Sequence, residues 1–72
     1  RGAGGPVGLS PRERQILEAV ARGLSNSQIG RELFITEATV KTHLLRVYGK
    51  LGVDTRTAAV TEALRRGLLD LG

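Results

Sequence analysis

The stretch Thr36-Glu-Ala-Thr-Val-Lys-Thr-His-Leu-Leu-Arg-Val-Tyr-Gly-Lys-Leu51 leaves a small chain few ways to fold. At about 100° per residue, Val40, Leu44, Val47 and Leu51 fall within about 60° of one another. That makes one apolar stripe on a helix of about Glu37–Leu51. Ala38, Thr42, Leu45 and Gly49 lie opposite it, flanked by Thr39, Lys41 and Arg46. One side is built to be buried. The other offers small, hydroxylated and basic side chains, the chemistry needed to approach base edges and phosphates in a DNA major groove. A solvated outer face is the plainer reading of the same residues.

The rest of the chain supplies the helices on which this stripe can pack. Leu9-Ser10-Pro11-Arg12-Glu13 starts a first helix, with Ser10 as N-cap, Pro11 in the first turn and Glu13 completing a capping box. Leu9 is placed to staple back onto Arg14 or the following turn. Ile16, Leu17, Val20, Ala21 and Leu24 recur at helical spacing, and Gly23 is a stop. The first helix is expected over Pro11 to about Arg22. A second capping box, Ser25-Asn26-Ser27-Gln28, opens a short helix that turns Ile29 and Leu33 inward. Gly30 in its middle costs about 1 kcal/mol relative to Ala, a cost that close approach by another helix would justify.

Phe34-Ile35 then connects to Thr36, the N-cap of the central helix, which Gly52 ends. Two helices joined by a few residues, the second amphipathic, make a helix-turn-helix. Thr55 caps a fourth helix, Arg56 to about Arg66, with Ala59, Val60, Ala63 and Leu64 as its apolar side. Gly67 stops it, and Leu68 and Leu69 fold back onto the core. No segment alternates with period two. The class is all-α, a four-helix domain over residues 9–72, preceded at 1–8 by a flexible linker or remnant of four glycines and a proline.

Composition narrows the chemistry. Seventy-two residues support one small core, and without cysteine it has neither disulfide nor thiolate metal site. A single histidine, His43, excludes a multi-histidine site; no cofactor is expected. Seven scattered carboxylates offer no acid–base pair, so an enzyme is not expected. Eleven Lys and Arg give a net charge of +4, which favours a polyanionic partner. The lack of cysteine fits a cytoplasmic protein, and nothing in the sequence resembles a membrane span or a secretory signal.

Leu9-Ser-Pro-Arg-Glu13, Gly23-Leu-Ser-Asn26, Ile29, Leu33-Phe-Ile-Thr-Glu-Ala-Thr-Val-Lys-Thr-His-Leu-Leu45, Lys50-Leu-Gly-Val53 and Arg56-Thr57 together resemble the LuxR-type helix-turn-helix domain. This family includes NarL-like response-regulator output domains and GerE. The resemblance covers about Leu9 to Leu69. It implies a third helix in the major groove of double-stranded DNA, and a fourth helix that pairs two protomers. It implies that Lys41 contacts bases or phosphate, that Thr42 and Leu45 face bases, and that Asn26, Ser27, Thr39 and His43 meet phosphates. The helical wheel independently turns Lys41, Thr42 and Leu45 outward.

Three positions depart from the family pattern. Leu45 replaces a polar residue and makes a thymine methyl its plausible target. Ser27 stands where Lys is frequent, so one phosphate cation is missing. Gly30 replaces the usual Ala and is expected to loosen the second helix.

Other positions keep two readings. His43 borders the core stripe, so packing and phosphate donation both fit. Arg46 and Lys50 on the helix flank suit phosphate contact or solvent. Thr36 and Thr39 are cap residues, and the helix N-terminus they open can receive a phosphate. Ala59, Val60, Ala63 and Leu64 exceed what so small a core needs, which predicts a weak dimer contact; packing within one chain is the alternative.

The expected function is sequence-specific DNA binding by the output domain of a transcription regulator of the response-regulator kind, its regulatory domain lying upstream of Arg1. A helical protein-interaction module is the competing class. A sigma-factor promoter-reading module is a close variant, disfavoured by Lys50-Leu-Gly-Val53 followed by a capped fourth helix.

Overall fold

A computed structural model describes residues 8–70. Of the expected linker at residues 1–8, all but Gly8 therefore lies outside the described residues. Four helices follow in order: α1 Pro11–Ala21, α2 Asn26–Leu33, α3 Glu37–Leu51 and α4 Arg56–Arg65. No strand occurs among the described residues.

Each helix begins where a side chain can satisfy the free N–H groups of a first turn. Ser10 and Ser25 close reciprocal capping boxes with Glu13 and Gln28. Thr36 accepts from the Thr39 N–H, and Thr55 from the Ala58 N–H. Gly52 ends α3 at φ 70°, a left-handed conformation that glycine adopts without a Cβ penalty. α1 and α4 each stop one residue short of the expected bounds, with Arg22 and Arg66 as caps.

The core has two adjoining parts, and α3 runs through both. Val40 and Leu44 pack with Ile16, Ala19, Val20 and Ile29. Val47 and Leu51, one and two turns on, pack with Leu17, Ala59, Ala63 and Leu69. Tyr48 and Val60 touch both parts. Burying a Val, Leu or Ile contributes about 1.5–3 kcal/mol, so the α3 stripe alone is a large share of what holds the domain together. Leu9 joins the second part instead of stapling to Arg14, whose Nη1 donates to the Leu68 carbonyl at 2.7 Å.

Gly30 is buried at the expected close approach, where α2 meets the turn and the start of α3. A Cβ built there would stand 2.7 Å from the Ile35 carbonyl oxygen, 3.4 Å from the Thr36 carbonyl carbon and 3.5 Å from the Glu37 nitrogen, so its close neighbours are the turn and the first residue of α3. The Ile35 N–H donates back to the Gly30 carbonyl at 2.9 Å. The glycine draws the turn against α2, which corrects the expectation that it loosens the helix.

Candidate nucleic-acid interface

Phe34, Ile35 and Thr36 join α2 to α3. Ile35 and Leu33 turn toward the core, while Phe34 takes the left-handed conformation (φ 60°, ψ 42°) and is 94% exposed. The turn and the packing of α2 on α3 fix the orientation of the outer face of α3.

On that face Lys41, Thr42, Leu45 and Arg46 are exposed, as the wheel requires. Leu45 is 58% exposed, a large apolar side chain set between cations. Thr42 Oγ1 donates to the Ala38 carbonyl at 3.1 Å. Its hydroxyl proton is thus spent on its own helix, leaving a methyl group and the oxygen's two lone pairs for any ligand. Lys41 and Arg46 take part in none of the ion pairs seen among the described residues. The carboxylates of Glu13, Glu32 and Glu62 are instead matched with Lys50, Arg22, and Arg65 with Arg66. Positive charge is left uncancelled along α3.

The first turns of α2 and α3 carry the expected phosphate residues. Thr36 Oγ1 accepts from the Thr39 N–H at 3.0 Å and donates to Thr39 Oγ1 at 2.9 Å. Asn26 and Ser27 open α2, both half-buried. His43 is half-buried as well, and its Nδ1 is buried without a hydrogen-bond partner. An Nε2–H tautomer puts only a lone pair at that inner position, the cheaper group to leave unpaired.

Two expectations need correcting. Lys50 is engaged by its own chain: its Nζ donates to Glu13 Oε1 at 2.7 Å and to the Gly8 carbonyl at 2.9 Å. It is committed to holding the fold and does not extend the basic face. Ala59 and Ala63 are fully buried in the second part of the core. Side chains so small sit where α4 must approach its neighbours closely, so they cannot reach a second protomer. Of the expected dimer residues, Val60 is half-buried and Leu64 is 41% exposed. Val60 and Thr61 line an open groove of about 360 Å³ beside Val20 and Leu24 of the facing elements.

Two arginines to which sequence reasoning gave no role reach the first turn of α2, Arg31 from the last turn of that helix and Arg56 from α4. Arg31 Nη1 donates to Ser27 Oγ at 3.0 Å, so a guanidinium stands beside the residue that replaces the frequent lysine. The four-residue spacing from Ser27 was a usable signal. Arg56, from the start of α4, donates from Nη1 to Asn26 Oδ1 at 2.5 Å and from Nη2 to the Leu24 carbonyl at 2.6 Å. No local pattern announces that contact, because 30 residues separate the pair.

Comparison with known proteins decides the family. The description GerE, bacterial regulatory proteins of the luxR family, matches residues 7–63. The chain belongs to the LuxR family. This LuxR-family domain is 53% identical over 62 residues to the probable transcriptional regulatory protein NarL of Mycobacterium tuberculosis, covering 86% of the chain and 29% of that protein. It is 47% identical over 62 residues to the transcriptional regulatory protein LiaR of Bacillus subtilis, again covering 86% and 29%. The chain thus spans less than a third of these relatives.

Among solved structures, the response regulator ChrA of a heme-sensing two-component system superposes with a TM-score of 0.84 at 54% identity, over 96% of the chain and 32% of ChrA. The transcription factor GerE gives 0.83 at 41% identity, over 89% of the chain and 96% of GerE. The fold is therefore the LuxR-type helix-turn-helix, the DNA-binding output domain found in transcription regulators. Among the described residues no helix is long and apolar enough to cross a membrane.

Proposed function

We propose that this LuxR-family domain reads a specific double-stranded DNA site for a cytoplasmic transcription regulator whose signal-receiving domain is a two-component receiver. The observation that carries this reading is the exposed row Lys41, Thr42 and Leu45 on α3, opposite the buried stripe and clear of carboxylate partners. α3 lies in the major groove, with those three side chains on base edges. Thr36, Thr39, Asn26, Ser27, His43, Arg46 and Arg31 meet the backbone on either side. Phosphate contacts supply most of the affinity, and base contacts the discrimination. The domain has no catalytic role.

Two copies bind adjacent half-sites and meet weakly through the exposed edge of α4, where Leu64 and Val60 remain available. The test is fluorescence-anisotropy binding to a pool of labelled duplexes over a salt series, for wild type and Lys41→Ala. Saturable, salt-sensitive selection of one duplex that the substitution weakens supports the reading. A folded domain that binds no duplex at low salt overturns it in favour of a protein-interaction module.

A further inference from the structure

Arg56 is half-buried and takes part in none of the ion pairs among the described residues. A guanidinium withdrawn from water ordinarily finds a carboxylate. Here two of its donors go to neutral oxygens, Asn26 Oδ1 at 2.5 Å and the Leu24 carbonyl at 2.6 Å. Both belong to the approach to α2, and Asn26 is the first residue of that helix.

The consequence for Asn26 is chemical. A carboxamide has one acceptor oxygen and one NH2 donor group, at opposite ends of the amide. Because Arg56 can only donate, it fixes which end is which: Oδ1 faces the guanidinium, and Nδ2 with both its protons is presented away from it. Without Arg56 the amide is free to turn over and offer its oxygen outward, which a phosphate repels.

We propose that Arg56 is a positioning residue for DNA binding: by holding Asn26 Oδ1 it aims the Asn26 Nδ2 donors at a backbone phosphate. Its own charge, not cancelled by a carboxylate, stands behind that contact and strengthens it. The proposal rests on the DNA-binding reading above. It adds that helix α4, through its first residue, sets a phosphate contact made from α2. The contact carries no sequence information, so it affects all duplexes alike.

Asn26→Asp separates this role from a structural one. An aspartate keeps the shape, gives Arg56 the carboxylate it lacks and suits a helix N-terminus, so urea unfolding should show a domain at least as stable as wild type. It also replaces the outward donors with an acceptor. Affinity for a fluorescein-labelled mixed-sequence duplex at low salt should then fall about tenfold or more, the scale of one charge-assisted hydrogen bond.

Asn26→Ala and Arg56→Ala should each weaken binding, and the double variant should bind no worse than the weaker single one. An Asn26→Asp domain that binds like wild type overturns the proposal, as does a fully additive double variant. If Arg56→Ala does not fold, Asn26→Asp still decides, since it keeps the arginine. Wild type that fails to bind the duplex at low salt, or a Lys41→Ala variant that binds its selected duplex unchanged, overturns the DNA-binding reading itself. Binding by wild type that Lys41→Ala weakens and Asn26→Asp does not overturns the role of Arg56 alone.

Discussion

Lys50 Nζ lies 2.7 Å from Glu13 Oε1 and so joins the last turn of α3 to the first turn of α1 across 37 residues of sequence. The same carboxylate oxygen accepts the Ser10 N–H at 2.8 Å, which makes one atom serve both a helix cap and an ion pair. Removing the lysine leaves a carboxylate that is 4% exposed without its cation. Lys50 itself keeps a 39% exposed side chain, so the pair is partly screened by solvent. Lys50→Met should lower stability by about 1–2 kcal/mol, measured by urea unfolding. A smaller loss than a few tenths would show that the pair holds nothing.

Acid should act through two carboxylates. Burial pushes the Glu13 carboxyl up, but hydrogen bonds from Lys50 and Ser10 together with the Lys50 charge outweigh it and hold the group below its ordinary 4.5. Hydrogen bonds from Arg65 and Arg66 bring the half-buried Glu62 down to about 2. Both groups are more acidic folded than unfolded, so each contributes stability in full above pH 4.5 that is lost as pH falls through the folded value. Stability should therefore decline below pH 4.5, and Lys50→Met should flatten part of that decline. Added salt should weaken the Glu62 share first, because those partners are open to solvent.

Phe34 holds a left-handed backbone with almost no side-chain contact to repay it. For an L-residue that conformation costs about 1–2 kcal/mol. Phe34→Gly removes the cost but adds freedom to the unfolded chain, which offsets part of the gain. The expected net is a domain about 0.5–1 kcal/mol more stable by urea unfolding. Destabilisation would mean that the ring makes a contact the fold needs.

Lys41→Ala should weaken binding to the selected duplex by about 1–3 kcal/mol. If Lys41 reads a base, the salt dependence of binding should stay nearly unchanged while discrimination drops. Leu45 beside it has no hydrogen-bonding group and matches a thymine methyl. Replacing the contacted thymine with uracil should cost about 0.8 kcal/mol, the scale of one buried methyl group, and Leu45→Ala should abolish that difference.

On α4 the same apolar stripe divides by burial. Ala63→Leu should overpack the core and cost about 1–3 kcal/mol of stability. Leu64→Glu should leave folding and single half-site binding intact while removing cooperative binding to paired half-sites, read by a concentration series on the two duplexes. Unchanged cooperativity would rule out this edge of the helix as the contact.

The fold was legible because each helix announces itself twice, by a cap and by a stripe. Ser10, Ser25, Thr36 and Thr55 stand where first turns need acceptors, and Val40, Leu44, Val47 and Leu51 repeat at the helical period. The exposed face of α3 follows from that stripe by subtraction. Periodicity does not say what covers an apolar face, so Ala59 and Ala63 could be assigned to a partner when the chain itself covers them. Nor does it say where a long cation will reach. Lys50 on a helix flank and Arg56 at a helix start look like ordinary surface cations in sequence, yet each crosses the domain to a partner fixed only by tertiary packing.

The bond from Lys50 to the Gly8 carbonyl has a consequence for how such a domain can be reused. Lysine grips a backbone oxygen there, a group that every residue type provides. That contact therefore does not depend on the side chain at position 8, while residue 50 must supply a long donor. A domain fastened in this way can be spliced behind unrelated partners in a fusion protein without redesigning the join.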